Sequence, residues 1–192
     1  MRLTSLLLAA ALATAPLTAA VSAPYVLDKS HAHIKFSVGH LGFSNTHGQF
    51  RKFDADIDFD PGNVEATKVT FTIDAASVET FWEARDKHIR SKDFFDVDNH
   101  PTITFSSTSV TPTGSDTADV IGDLTMRGVT KPITLKAQLN KLGPSPFNPS
   151  KEIAGFTVTG EIDRTEFGIS YAAPAVSAIV PIQIDLEMSP AE

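Results

Sequence analysis

The stretch Val120-Ile121-Gly122-Asp123-Leu124-Thr125-Met126, followed by Arg127-Gly128-Val129-Thr130-Lys131-Pro132 and then Ile133-Thr134-Leu135-Lys136-Ala137-Gln138-Leu139, decides the fold class. In its first arm Val120, Gly122, Leu124 and Met126 fall on one face, with Asp123 and Thr125 on the other. In its second arm Ile133, Leu135, Ala137 and Leu139 alternate with Thr134, Lys136 and Gln138. Successive side chains of a strand point to opposite faces, so this period of two describes two strands with one apolar and one wet face each. A turn over 128–132 returns the chain, and two strands joined by so short a link are antiparallel.

The same rule runs outward in both directions. Ile34, Phe36, Val38 and His40 share a face, as do Phe53, Ala55, Ile57 and Phe59, whose intervening positions are Asp54, Asp56 and Asp58. Asp60-Pro61-Gly62-Asn63 ends that strand as a turn. Val69, Phe71 and Ile73 form another strand, Ile103 and Phe105 a further one. After a loop carrying Gly143, Pro144, Pro146 and Pro149 come Ala154, Phe156, Val158, Gly160 and Ile162, and finally Val176, Ala178, Val180, Ile182, Ile184 and Leu186. With a short strand at 25–27 the pattern predicts about eight strands. One helix is expected at about 81–90, with Thr80 as its cap and Glu83 as the partner in a capping box. Its Phe81, Trp82 and Ile89, with Phe94 and Phe95 nearby, are expected to seat against the mouth of a barrel. An all-β, antiparallel, eight-stranded barrel with one short helix in a mid-chain crossover satisfies these constraints. A two-sheet sandwich satisfies the strand pattern equally.

The first 23 residues read differently. Arg2 precedes an apolar run from Leu6 to Ala15, and small residues follow at Ala19, Ala20, Ser22 and Ala23. That is the layout of a secretory signal peptide, with cleavage expected after Ala20 or Ala23. The run is shorter than the roughly 20 apolar residues that span a bilayer. Residues 24–192 are therefore expected to form one domain, exported to the periplasm, with no stable membrane insertion. The chain of 192 residues carries a formal net charge of −7, and its acidity without a basic cluster argues against nucleic acid as a partner. It has no Cys, so an exported fold must stand on its core alone, and thiol chemistry and thiolate metal sites are excluded.

Motifs spread along almost the whole chain after residue 24 resemble the YceI-like family, the polyisoprenoid-binding periplasmic proteins. They are Tyr25-Val26-Leu27-Asp28, His31-Ala32-His33-Ile34-Lys35-Phe36-Ser37-Val38-Gly39-His40, Gly48-Gln49-Phe50, Phe59-Asp60-Pro61 and Ala76-Ser77-Val78-Glu79-Thr80. Then follow Arg85-Asp86-Lys87-His88-Ile89-Arg90-Ser91, Asp93-Phe94-Phe95-Asp96, Pro101-Thr102-Ile103-Thr104-Phe105, Gly122 through Pro132, and Asp163-Arg164 with Phe167-Gly168. The order and spacing together carry the resemblance. It implies a lipocalin-like barrel around an apolar lumen and ligands with isoprenoid or fatty-acyl tails, bound for transport. The family often has Ser after the first His, where this chain has Ala32.

The candidate ligand-binding residues are Phe36, Val38, His40, Phe50, Ile57, Phe71, Phe81, Trp82, Phe94, Phe105, Leu124, Met126 and Phe156. Thirteen Phe against two Tyr and one Trp suit a greasy interior. Burial contributes roughly 0.8 kcal/mol per methylene, so a five-carbon isoprene unit contributes on the order of 4 kcal/mol before ordering costs. A few such units hold a ligand without a polar anchor. His40 shares the face of Phe36 and Val38 and is expected to point inward. Arg85, His88 and Arg164 are candidates for a head group, against the plainer reading of ion pairs that pin the helix and of a turn-fixing Arg164. His31 and His33 face the other way from His40, with no carboxylate at an obvious ligand spacing, and no metal or cofactor is expected. No nucleophile elbow, phosphate loop or zinc-protease helix is present, so no catalytic residue is assigned and the protein is not expected to be an enzyme. The rival readings are an enzyme acting on an isoprenoid or acyl lipid with His40 or His88 as acid/base, and a solid barrel acting by protein contact. A homodimer is compatible with such a barrel, although no exposed stripe requires one.

Overall fold

Eleven strands and one helix succeed one another along the chain in a computed structural model that describes residues 24–191. The expected signal peptide lies outside the described residues. In chain order the strands are β1 (Pro24–Leu27), β2 (His33–His40), β3 (Ser44–Phe50), β4 (Phe53–Asp58), β5 (Lys68–Asp74), β6 (Val78–Glu79), β7 (Thr102–Pro112), β8 (Thr117–Met126), β9 (Val129–Pro144), β10 (Glu152–Asp163) and β11 (Ile179–Pro190). The helix α1 spans Glu83–Arg90, between β6 and β7. It is neither long nor apolar enough to cross a membrane.

Eight strands close a ring in the order β1-β4-β5-β7-β8-β9-β10-β11, and β1 pairs back onto β11. Every pairing is antiparallel. The seam at β11 is shared: Leu27 faces Met188 on β1, while four residues further back Ile184 faces Ile34 on β2. The hairpin β2–β3 and the short β6 therefore continue the wall beyond the ring, past the end at which β11 begins. That hairpin includes β3, which the alternation did not reveal, because Asn45, Thr46 and His47 leave it without an apolar stripe. Closure removes the free edges that an open sheet exposes.

Two irregularities explain where the pattern stopped short. In β7 the register shifts between Ser107 and Ser109. The inward face passes from Ile103 and Phe105 to Val110, so an extra residue exchanges odd for even positions. A second shift at Gly155/Phe156 lets β9 run on to Pro144, where the prolines had suggested a loop. The β8–β9 turn is also tighter than expected. It is a two-residue turn with Arg127 and Gly128 both left-handed (φ 51° and 74°), the form that matches strand twist.

The core follows the inward faces. Leu124, Met126, Phe105, Phe71, Ile57, Leu186 and Met188 are all buried. At the end carrying β1, Tyr25, Phe59 and Phe156 stack edge to face, with centroids 5.3 Å apart in each pair. Edge-to-face rings fill that end. The opposite end, where β7 and β11 begin and β8 and β10 finish, is overlaid by α1 and the loop 168–178 that joins β10 to β11. Arg127 ties these parts together by donating to the carbonyls of Gly168 (2.5 Å) and Lys92 (2.7 Å).

The helix differs from expectation at its start. Trp82, not Thr80, holds the N-cap position, and no side chain caps it. Phe81 is left-handed (φ 64°), a conformation that a bulky residue adopts only when its surroundings enforce it. It turns Thr80 back toward the helix body, where Asp86 accepts from the Thr80 amide (2.8 Å) and from its hydroxyl. The capping box is thus replaced by a carboxylate from within the helix. At the other end Arg90 donates to the carbonyls of Ala76 (2.9 Å) and Val78 (3.0 Å), pinning α1 to β6.

Candidate functional site

The barrel is not filled to its axis. A cavity of about 440 Å³ runs along it, within the range of roughly 300–1,000 Å³ that small-molecule sites occupy. Phe156, Val158, Ile162 and Ile182 point into this space from β10 and β11 and remain only half-buried, although no outer face exposes them. In a close-packed interior such residues would be covered.

Of the ligand-site candidates, Phe36, Val38, His40, Phe50, Ile57, Phe71, Phe94, Phe105, Leu124, Met126 and Phe156 line the cavity. Phe36 lies flat over Gly48, where an added Cβ would stand 2.3 Å from the ring, and Phe105 covers Gly122 in the same way. Each glycine keeps its strand low enough for a ring to lie across it. Phe81 and Trp82 do not line the cavity. They are 74% and 61% exposed, because the left-handed turn at Phe81 carries both rings outward, and Trp82 lies 5.5 Å from the Arg85 guanidinium. His40 does face the cavity but sits exposed at its rim, one residue before the hairpin turn, rather than within the core.

Most polar residues of the lining gather at the α1 end, whereas Thr67, whose buried Oγ1 has no hydrogen-bond partner, lines it from the other end just before β5. His88 bonds to Asp93 (3.0 Å) and meets the rings of Phe94 and Tyr171 edge-on at 5.1 and 5.0 Å. Arg85 donates to the hydroxyl (2.7 Å) and carbonyl (2.5 Å) of Thr80. Arg164, 6% exposed, donates to the carbonyls of Ile169 (2.7 Å), Val176 (2.7 Å) and Ser177 (2.8 Å), and its guanidinium lies 5.9 Å from the Phe94 ring. It fixes the loop 168–178, as its place beside Phe167-Gly168 suggested, and also faces the lumen. Burial pulls the Arg164 guanidinium down from its usual value, opposed by neighbouring Asp163.

Alternation had already put Val158, Ile162 and Ile182 on inward faces, which is the signal by which they could have been counted in the site. Tyr171 comes from a loop with no periodicity, and nothing in the sequence marks it; Val176, which alternation placed at the start of the last strand, lies in the same loop, because β11 begins only at Ile179. His31 also gains partners that spacing did not suggest. Asp28 bonds to its Nδ1 (3.0 Å), and Glu187 arrives from β11, so one His and two carboxylates lie together on the surface. Hydrogen bonds from Ser30 and His31 hold the Asp28 carboxyl well below the usual carboxylate range, while Asp28 raises the His31 imidazole.

Comparison with known proteins agrees with this geometry. Residues 25–188 match the family model described as the YceI-like domain. Curated relatives called UPF0312 protein include one from Pseudomonas savastanoi pv. phaseolicola, 43% identical over 187 residues and covering 95% of this chain and 94% of that protein. Another, from Pseudomonas syringae pv. tomato, is 45% identical and covers 88% of each. Among solved structures, a Campylobacter jejuni YCEI protein is 33% identical, with a TM-score of 0.73 over 80% of this chain and 90% of that one. Burkholderia cenocepacia BcnA, at 24% identity, shares the fold, with a TM-score of 0.76 over 84% of this chain and 98% of that one. So does a polyisoprenoid binding domain from Saccharophagus degradans, 16% identical, with a TM-score of 0.64 over 87% and 98%. Closed barrel, motif order and these relatives agree, and the chain belongs to the YceI-like family.

Proposed function

We propose that the protein is an exported carrier that shields one long apolar chain, of isoprenoid or fatty-acyl type, inside its barrel. The observation that carries this reading is the cavity of about 440 Å³, walled almost wholly by aliphatic and phenyl side chains. Between the polar groups at its two ends a water in that space would lack polar partners, and water persists in cavities only where it has two to four of them. An apolar chain gains about 25 cal/mol for each Å² it withdraws from water. The Saccharophagus degradans neighbour, which shares the fold, is described as a polyisoprenoid binding domain. Export rests on the apolar run within residues 1–23. A binding role without chemistry rests on the lumen, whose wall carries no carboxylate among the described residues and has its imidazoles, His40 and His88, only toward the α1 end.

The test is organic extraction of protein purified from its native host, followed by mass spectrometry. An isoprenoid or acyl species is expected in an amount comparable to the protein. Recovery of no lipid, together with failure of delipidated protein to take up an added polyprenol or fatty acid, would overturn the reading in favour of a barrel acting by protein contact. Recovery of a lipid chemically altered from the one supplied would favour an enzyme instead.

A further inference from the structure

The ring closes where β11 changes partners. Its residues 188–190 pair with β1 and its residues 182–185 with β2. Leu186 and Glu187 lie in the gap between the two, and the loop from β1 to β2 passes beside them. There the Asp28 amide donates to the Glu187 carbonyl (2.9 Å), and the His31 amide to the Asp28 carbonyl (3.1 Å). Leu27, Leu186 and Met188 are buried at this seam, so by alternation Asp28 and Glu187 face outward as cross-strand neighbours. Like charges placed opposite one another repel. No Lys or Arg among the described residues forms a salt bridge with either. Lys29 is committed to Asp54 (2.7 Å) and Lys35 to Asp185 (2.8 Å).

His31 completes the group. One ligand atom from each of Asp28, His31 and Glu187 lies within 4.8 Å of the others. Asp28 is set in place: its Oδ1 accepts from the amide and hydroxyl of Ser30 (2.9 and 2.6 Å), which leaves Oδ2 toward the imidazole (3.0 Å). The Glu187 carboxylate accepts no hydrogen bond among the described residues, and its longer side chain can swing. Opposite Glu187 on β10 stands Gly155, where an added Cβ would meet only the Lys141 carbonyl, at 4.0 Å. That flank of the group is open to water.

We propose that Asp28, His31 and Glu187 bind one divalent ion of the zinc class, with water completing its shell. Two carboxylates supply the charge that a dication needs. The imidazole selects zinc-class ions over magnesium and calcium, which take oxygen ligands. Tetrahedral zinc, with bonds of about 2.0–2.1 Å, sets its ligand atoms roughly 3.3 Å apart. Asp28 and His31 already stand near that spacing, so the main movement falls to Glu187. The ion ties the loop to β11 at the point where that strand exchanges β1 for β2, and so staples the ring. The site lies on the outer surface and does not depend on what the lumen holds.

Metal-free protein without a polyhistidine tag is titrated with ZnCl2 at about pH 8, because a ligating imidazole must be deprotonated. Calorimetry and thermal melts follow binding, with MgCl2 and CaCl2 for comparison. One equivalent of zinc is expected to bind and raise the melting temperature, with magnesium and calcium at least tenfold weaker. Zinc should shift the NMR ring signals of His31 and not those of His33, a readout that needs no variant. His31→Gln and Glu187→Gln, checked for folding by circular dichroism, should each weaken zinc at least tenfold and cancel the thermal gain. His33→Gln should change neither. Absence of one-equivalent zinc binding overturns the site, as does calcium binding equal to zinc. Zinc affinity undiminished in His31→Gln, or His31 ring signals unmoved by zinc, overturns it too. A bound zinc that leaves the melting temperature unchanged overturns the staple.

Discussion

Arg164 and Tyr25 show how single side chains set local chemistry here. Arg164 is a buried cation held by three carbonyls from one loop. A lysine at this position has one compact ammonium that cannot reach all three, and the abandoned carbonyls stay buried. Arg164→Lys is therefore expected to cost about 2–4 kcal/mol in urea unfolding, since hydrogen bonds to charged groups contribute about 1.5–3 kcal/mol each and partial rescue is available. A loss below about 1 kcal/mol would show that the loop holds itself. Tyr25 is governed by burial first and then by its 3.0 Å hydrogen bond to Glu152, which together push its phenol from 10.0 up to about 12. The folded state thus keeps a proton that the unfolded chain releases near pH 10. The stabilisation it brings is fully present below that pH and is lost as pH rises toward 12. Absorbance at 295 nm should resolve Tyr25 as a late phenol, and Glu152→Gln should bring its midpoint down only partway, because burial remains. A midpoint for Tyr25 near 10 in the parent protein would contradict this account.

Turns and registers carry the argument at the level of elements. The hairpin β8–β9 rests on Gly128 at φ 74°, where an added Cβ would also stand 2.9 Å from the His100 ring. Gly128→Ala should destabilise the protein by about 1–2 kcal/mol, the cost of a left-handed L-residue, measured as a shift in the denaturation midpoint at unchanged m-value. An unchanged midpoint would mean the turn relaxes to another type. Period-two alternation made β4, β5, β8, β10 and the central part of β9 legible, because one face of each meets the lumen and the other meets water. It did not reveal β3, whose residues are polar on both faces, nor the far half of β7, where the shift at Ser107/Ser109 reverses inward and outward. The start of α1 was misread for a related reason. Thr80 and Glu83 have capping-box spacing, but Asp86, six residues on, captures Thr80 first.

At the scale of the whole molecule the decisive property is the hollow lumen. In a filled core an added ring is overpacked and typically costs 1–3 kcal/mol. Val158 faces open space, so Val158→Phe should leave the melting temperature unchanged or raised while reducing the lipid recovered on extraction. A clear loss of stability would show that the barrel centre is already occupied by its own side chains.

The sequence alone determined the strand alternation, the hairpin at Gly128, the mid-chain helix and the resemblance in motif order, because each depends on residues close together in the chain or on their linear order. It also identified most of the wall, from Phe36 to Phe156, since inward parity follows from position along a strand. Only the tertiary structure decided that the wall closes into a ring rather than a sandwich, and that the ring is wide enough to leave about 440 Å³ empty. It alone turned Phe81 and Trp82 outward, set His40 at an exposed rim, and placed Arg85, Arg164 and Tyr171 at one mouth. Volume and charge balance in a cavity are sums over strands far apart in the chain, and no local pattern encodes where opposing side chains stop short of one another.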